Sequence, residues 1–210
     1  MAFERVGPGR SRRGFLGDLG AALLCCPTLA GAAVKASDPE AFIKSLGDRA
    51  LAALNAQGVS QDERVRRLQD LLGQATDLDL VGRLALGRYW RQATAAQRTE
   101  YLKLFRDYAR NGLAQRLHEY GGGLRFEVTA SRPAGEGDTM VSTEVARGDQ
   151  APVHVDWRVR KLGDRYAVVD VVAEGVSMLV TNRSQFESIV AQRGIPGLLD
   201  ELRSGRQPAS

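Results

Sequence analysis

The sequence is short of the residues that most often carry chemistry. Among 210 residues there are two cysteines, Cys25 and Cys26, adjacent and near the N-terminus, and two histidines, His118 and His154. The histidines are not at metal-ligand spacing. Once the N-terminal stretch is set aside as an export signal, no thiol remains. That excludes a disulfide, a thiolate metal site and a cysteine nucleophile, even in an oxidising compartment. No apolar run is long enough for a transmembrane helix. There is no dense Lys/Arg block. The 29 basic and 25 acidic residues leave a formal charge of +4 spread along the chain, which argues against nucleic acid as a partner and is compatible with transient contact with an anionic membrane. A nucleophile elbow is missing, because Gly175-Val176-Ser177-Met178-Leu179 carries Leu where the second Gly belongs and no His-Gly-Gly segment supplies an oxyanion loop. Gly121-Gly122-Gly123 has neither the spacing nor the following helix of a phosphate-binding loop.

What is present begins with an address. Arg10, Arg12 and Arg13 form a positive region ahead of an apolar stretch from Leu16 to Leu29, and Ala30-Gly31-Ala32 offers an A-x-A cleavage site. Residues 1–32 therefore read as an export signal. Ser11-Arg12-Arg13-Gly14-Phe15-Leu16 matches the twin-arginine pattern S-R-R-x-F-L; the alternative is an ordinary Sec signal with a chance arginine pair. A lipoprotein anchor is disfavoured, since Leu24 precedes Cys25 and no small residue precedes either cysteine. Residues 33–203 are expected to form one domain and 204–210 a flexible tail. Removal of the signal, with its four arginines and two acids, lowers the charge from +4 to about +2.

The domain reads as helices, then strands, then helices. Asp38-Pro39-Glu40 opens a helix whose apolar residues recur at Phe42, Ile43, Leu46, Ala50 and Leu54. Ser60 to Glu63 is a capping box for a second helix, and 77–86 is a third. Thr94-Ala95-Ala96-Gln97 opens the longest helix, from Ala95 to about Glu119, with Tyr101, Phe105, Tyr108, Leu113, Leu117 and Tyr120 on one face. This face is either a core whose tyrosine tips reach the surface or the wall of a cavity. Four antiparallel strands follow. Leu124, Phe126 and Val128 alternate with polar residues in the first, and Val141, Thr143 and Val145 mark the second. Val153, Val155, Trp157 and Val159 alternate with His154, Asp156, Arg158 and Arg160 in the third. After the Gly163-Asp164 turn, Tyr166 to Val172 is apolar at almost every position, with Asp170 the exception. Glu174-Gly175-Val176-Ser177 breaks this run, a helix is expected from Asn182-Arg183-Ser184, and a last helix from Ile195. The fold class is α+β: a helical subdomain and a curved antiparallel sheet of about four strands, with room between them for an apolar pocket.

Within this layout His154 and Asp156 read as a solvated pair on a polar strand face. Asp170 needs a partner. It either pairs with an arginine at the sheet's polar edge or is a perturbed carboxylate in a cavity.

Four segments together resemble the MlaC family of phospholipid-binding proteins, also called toluene-tolerance or ABC-transporter auxiliary proteins. Val168-Val169-Asp170-Val171-Val172-Ala173-Glu174-Gly175-Val176-Ser177 is similar to the family's V-x-D-V-x-x-E-G-V-S, and Gly87-Arg88-Tyr89-Trp90-Arg91-Gln92-Ala93-Thr94 to its G-x-Y/W-W-R-x-A-T. Pro152 to Val159 matches a P-V-x-V-D-W-R-V strand, and Gly194 to Leu202 a loose G-x-x-x-L-x-x-L. The resemblance spans nearly the whole domain in the right order. It implies a cystatin- or NTF2-like sheet enclosing acyl chains, and a periplasmic carrier that shuttles phospholipid as cargo, with no cofactor, metal or catalytic residue. The implied partners are an inner-membrane ABC transporter complex with an MCE-domain protein, and an outer-membrane lipoprotein–porin complex. A hopanoid-linked subgroup is similar in sequence, which makes a hopanoid-type lipid an alternative cargo. The twin-arginine-like leader is a departure, since many members use Sec.

The expected pocket-lining residues are Phe126, Val128, Val141, Val155, Trp157, Val168 and Val172 from the strands. From the helices and the segment after the break they are Tyr101, Phe105, Tyr108, Val176, Met178 and Leu179. Arg91 and Arg183 are the expected headgroup contacts. Two competing readings remain: an isomerase- or hydratase-like enzyme with Asp170 as base, and an interaction module with a filled core.

Overall fold

The computed structural model describes residues 38–117 and 123–205, and for 113–117 the backbone alone. The stretch expected to be an export signal, with its cysteines, and His118, Tyr120 and the end of the expected tail lie outside the described residues.

The helices begin where the sequence supplies a cap. Asp38 accepts a 2.7 Å hydrogen bond from the Ala41 N–H and starts α1 (Pro39–Leu54). Ser60 accepts from the Glu63 N–H and starts α2 (Gln61–Ala75). Glu63 turns its carboxylate to Arg66 and Arg67 instead of back to the cap, so the expected box is half made. Asp77 caps α3 (Leu78–Leu86), which ends at Gly87 with φ of 57°. One turn, α4 (Tyr89–Gln92), leads to α5 (Ala95–Leu117), whose box is reciprocal: Gln97 N–H to Thr94 Oγ1 at 3.2 Å, Thr94 N–H to Gln97 Oε1 at 2.9 Å.

The sheet is an antiparallel meander in the order β1 (Leu124–Pro133), β2 (Asp138–Arg147), β3 (Val153–Leu162), β4 (Arg165–Ala173), β5 (Val176–Ser177). The two-residue β5 is an addition to the expected four. It forms because Glu174 and Gly175 both take positive φ, 48° and 80°, and return the chain sharply enough for Ala173 to face Val176 and Val172 to face Ser177. Helix α6 (Met178–Arg203) follows at once, a full turn before the expected start, because Ser177 serves as its N-cap. Gly194, at φ 67°, kinks it just before Ile195, where a separate last helix was expected.

Two apolar clusters result. One lies among helices: Ala85, Leu86, Tyr101, Phe105, Phe186, Leu198 and Leu199. The other lies between α1 and the sheet: Ile43, Val141, Val159 and Val168, with Phe42, Leu46, Phe126, Val128, Trp157, Tyr166 and Val171 packed around them. Gly47 allows the approach of α1 to β1, since a Cβ there would stand 2.3 Å from the Phe126 ring.

Candidate functional site

The inner face of the sheet is a set of cross-strand rows. Thr139, Val159 and Val168 form the first, and Val141, Trp157 and Val171 the second. Val128, Thr143, Val155, Ala173 and Val176 form the third, and Phe126, Val145 and Val153 the fourth. Burial falls along β3 from Val159 to Val153, although Thr143, in the third row, is fully buried. Val159 and Val168 are buried; Val141 is buried but Trp157 and Val171 are half-buried; Val128 and Val155 are half-buried, while Val176 is 58% exposed and Val153 40% exposed. The face therefore opens from a closed floor to an apolar rim. Trp157 sits midway along it, its indole N–H donating to Thr143 Oγ1 at 2.9 Å, and the Thr143 hydroxyl donating in turn to the Val155 carbonyl at 2.9 Å. With these polar atoms paired inside the wall, the middle of the face around Trp157 offers ligands mainly carbon.

The opposite face is polar. Asp138 is enclosed by Arg158 and Arg160, with Nε–Oδ distances of 2.6 Å to each. Burial pushes its carboxyl up, but the hydrogen bonds from Arg160 and Arg158 outweigh this and hold it below the ordinary 3.8. Asp156 accepts from Ser142 at 2.5 Å and lies 3.2 Å from His154 Nε2, the expected strand-face pair.

Of the strand residues expected at a pocket, Phe126, Val128, Val141, Val155, Trp157 and Val168 share the inner face. Val172 does not. It stands opposite Asp156 and Ser177, on the polar side. Strict alternation groups Val168 with Val172, but the register shifts at Val169, where Val159 faces Val168 and Arg158 already faces Asp170. The shift turns Val171 inward, a residue the strand pattern missed. A bulge leaves little mark in a run that is apolar at almost every position.

Tyr101, Phe105 and Tyr108 lie in the helical cluster, packed edge-on against Phe186. Tyr101 is fully buried; its hydroxyl donates to the Gly82 carbonyl at 2.9 Å, and burial pushes the phenol well above 10.0. Tyr108 is half-buried and donates to Asn182 Oδ1 at 2.8 Å. Leu179 is buried in the same cluster; Met178 is half-buried at the start of α6; Val176 is on the rim. Arg91 is exposed on α4. Arg183 places Nε and a terminal N–H on the Leu84 carbonyl, at 3.0 and 2.8 Å, near the end of α3.

Asp170 does not make the expected arginine pair: among the described residues its two oxygens accept instead from the Val171 N–H at 2.8 Å, the Ser177 hydroxyl at 2.5 Å and the Leu179 N–H at 2.9 Å. It anchors the start of α6 to β4. Glu174 completes the joint: its N–H donates to the His154 carbonyl and its Oε1 accepts from the His154 N–H at 2.7 Å. The D-x-x-x-E-G-x-S spacing is thus the hydrogen-bond plan of one corner. Among the described residues, no group of His, Cys, Asp and Glu could hold a metal ion, and no helix is long and apolar enough to cross a membrane.

A family model described as MlaC protein matches residues 44–204. The intermembrane phospholipid transport system binding protein MlaC of Haemophilus influenzae is 25% identical over 187 residues, which cover 84% of this chain and 86% of that protein. A phospholipid-binding protein from Ralstonia solanacearum, solved in complex with a phospholipid, is similar in structure with a TM-score of 0.70 and 25% identity, over 80% of this chain and 97% of that one.

Proposed function

The chain belongs to the MlaC family, and from that membership we propose that it is a lipid carrier which takes phospholipid acyl chains against the inner face of its sheet. The observation that carries this is the graded opening of an apolar wall, from buried Val168 to a rim at Val153 and Val176. A filled protein core has no reason to open on one side, whereas a pocket for acyl chains needs a dry floor and an entrance. That relatives are named for phospholipid transport and phospholipid binding supports the same reading.

The physics requires little else of the chain. Acyl chains in water cost about 0.8 kcal/mol per CH₂, so two typical tails stand on the order of 20 kcal/mol above their bilayer state. A pocket nearly as apolar as the bilayer makes exchange close to neutral. Direction then comes from partners. We assign these roles to an inner-membrane ABC transporter complex with an MCE-domain protein and an outer-membrane lipoprotein–porin complex, with the carrier in the periplasm between them. The proposed lining is Phe126, Val128, Val155, Trp157 and Val171. Asp170, engaged by three donors, supports no enzymatic reading.

Native mass spectrometry of the protein purified from cells, with organic extraction of any added mass, tests the proposal. A retained phospholipid in one or a few copies is the expected result and reports headgroup and chain length together. A retained triterpenoid would place the chain with the hopanoid-linked members. A bare protein that also takes no lipid from vesicles would overturn the carrier reading.

A further inference from the structure

A cavity of about 450 Å³ lies where α2, α3 and α5 meet the start of β4. None of its lining residues belongs to the apolar cluster on the sheet. Its wall is about half polar and carries three guanidinium groups from two elements, Arg106 and Arg110 from α5 and Arg165 from β4, with the carboxylates of Asp77 and Asp79. Asp79 holds Arg106 by two hydrogen bonds, at 2.7 and 2.8 Å, and Asp77 holds Arg165 at 2.9 Å. The Arg106 hydrogen bonds, opposed by burial, keep the Asp79 carboxyl below its ordinary 3.8. Arg110 pairs with no carboxylate among the described residues, so the cavity carries one uncompensated positive charge.

A second observation points to the same place. Thr76 lines the cavity; its Oγ1 is closed off from solvent and has no hydrogen-bond partner among the described residues, so the hydroxyl meets a ligand only after rotation about its Cα–Cβ bond. Its backbone is held against Val168 of β4 by an isolated parallel bridge, at the seam between helices and sheet. A buried hydroxyl with no partner is unfavourable and rare in a finished wall. The paired arginines also keep guanidinium N–H donors that their aspartates do not use.

We propose that this cavity is a binding site for a phosphate group, separate from the apolar wall on which the lipid reading rests. A phosphate offers several strong acceptor oxygens at once, which suits guanidinium donors arriving from different elements and a threonine hydroxyl beside them. A carboxylate has fewer oxygens and is already provided twice, by Asp77 and Asp79. The phosphate comes either from a soluble phosphate ester or from the headgroup of bound lipid. Its chemistry at the site is the same in both cases.

The test is a titration of inorganic phosphate into the purified protein at ionic strength held constant with sodium chloride, followed by calorimetry and by thermal unfolding. Saturable binding at one site with a raised Tm is expected. Arg110→Ala is expected to weaken it about tenfold, and Thr76→Val by a smaller factor, with circular dichroism unchanged. Equal phosphate affinity with and without cargo, and unchanged cargo in Arg110→Ala, would assign the site to a soluble ester. Phosphate binding only after cargo is stripped, with cargo lost in Arg110→Ala, would assign it to the lipid headgroup. A response matched by chloride alone, or one that both substitutions leave intact, overturns the proposal. Cargo is scored separately by mass, so that result leaves the carrier reading where it stood.

Discussion

At the scale of single residues, three polar side chains decide more than any apolar one. Asp138 has no exposed side-chain surface and lies between two arginines. Its folded pKa is depressed, so its contribution to stability is present above the ordinary carboxylate value of 3.8 and is lost as pH falls below it, through the folded value. Asp138→Asn is expected to flatten the acid limb of a Tm-against-pH curve. Asp138→Ala is expected to cost about 2 kcal/mol at neutral pH in urea unfolding, because two arginines lose their common partner. Asp170 has a different task, since its three donors come from the β4–α6 corner itself. Arg183 satisfies the Leu84 carbonyl, one of the last four acceptors of α3 that have no partner within the helix. Arg183→Ala is therefore expected to lower stability by about 1 kcal/mol in chemical unfolding while the extracted cargo keeps its mass.

At the scale of elements, the approach of α1 to β1 and of α3 to α5 depends on two missing side chains. A Cβ at Gly47 would lie 2.3 Å from Phe126, and one at Gly82 would lie 2.9 Å from Phe105. The two contacts belong to different clusters, and the expected outcomes differ accordingly. Gly82→Ala strains the helical core alone and should cost about 1–3 kcal/mol with cargo unchanged. Gly47→Ala pushes on Phe126, a proposed lining residue, and should lower cargo occupancy as well as Tm. Mass spectrometry and calorimetry on the two variants together check the distinction. The register shift at Val169 belongs to this scale too. It converts a continuous apolar strand into one that presents Val168 and Val171 inward and Asp170 and Val172 outward, and thereby lets the carboxylate reach Ser177.

At the scale of the molecule, an apolar face that opens to solvent is a stability debt that cargo removes. A ligand that binds only the folded state stabilises it by mass action. Stripping the extracted lipid is therefore expected to lower the Tm by several degrees, and returning lipid from vesicles should restore it. Val155→Asp places a charge on the third row of the wall, where burial is partial. It should abolish cargo retention, with the far-ultraviolet circular dichroism of the parent preserved.

Much of this was legible in the chain. Caps at Asp38, Ser60 and Thr94 announce helices because they satisfy donors that the helix itself leaves open, and alternation from Val153 to Arg160 announces a two-faced strand; Asp77, read as part of its helix, proves to be the cap of α3. The order of helices and strands, and hence the α+β class, follows from such local rules. Family membership was legible in the Asp170 to Ser177 spacing before its hydrogen bonds were seen. Tertiary structure alone decided what those residues touch. Sequence puts Tyr101, Phe105 and Trp157 in one apolar class, and only the packing of α3 and α6 on α5 assigns the first two to a closed core and the third to an opening wall. Arg183 and Arg91 are alike as letters, but one is spent on a carbonyl 99 residues away. The physical reason is common to all of these: composition and period report how apolar a face is, whereas what covers it depends on segments distant in the chain.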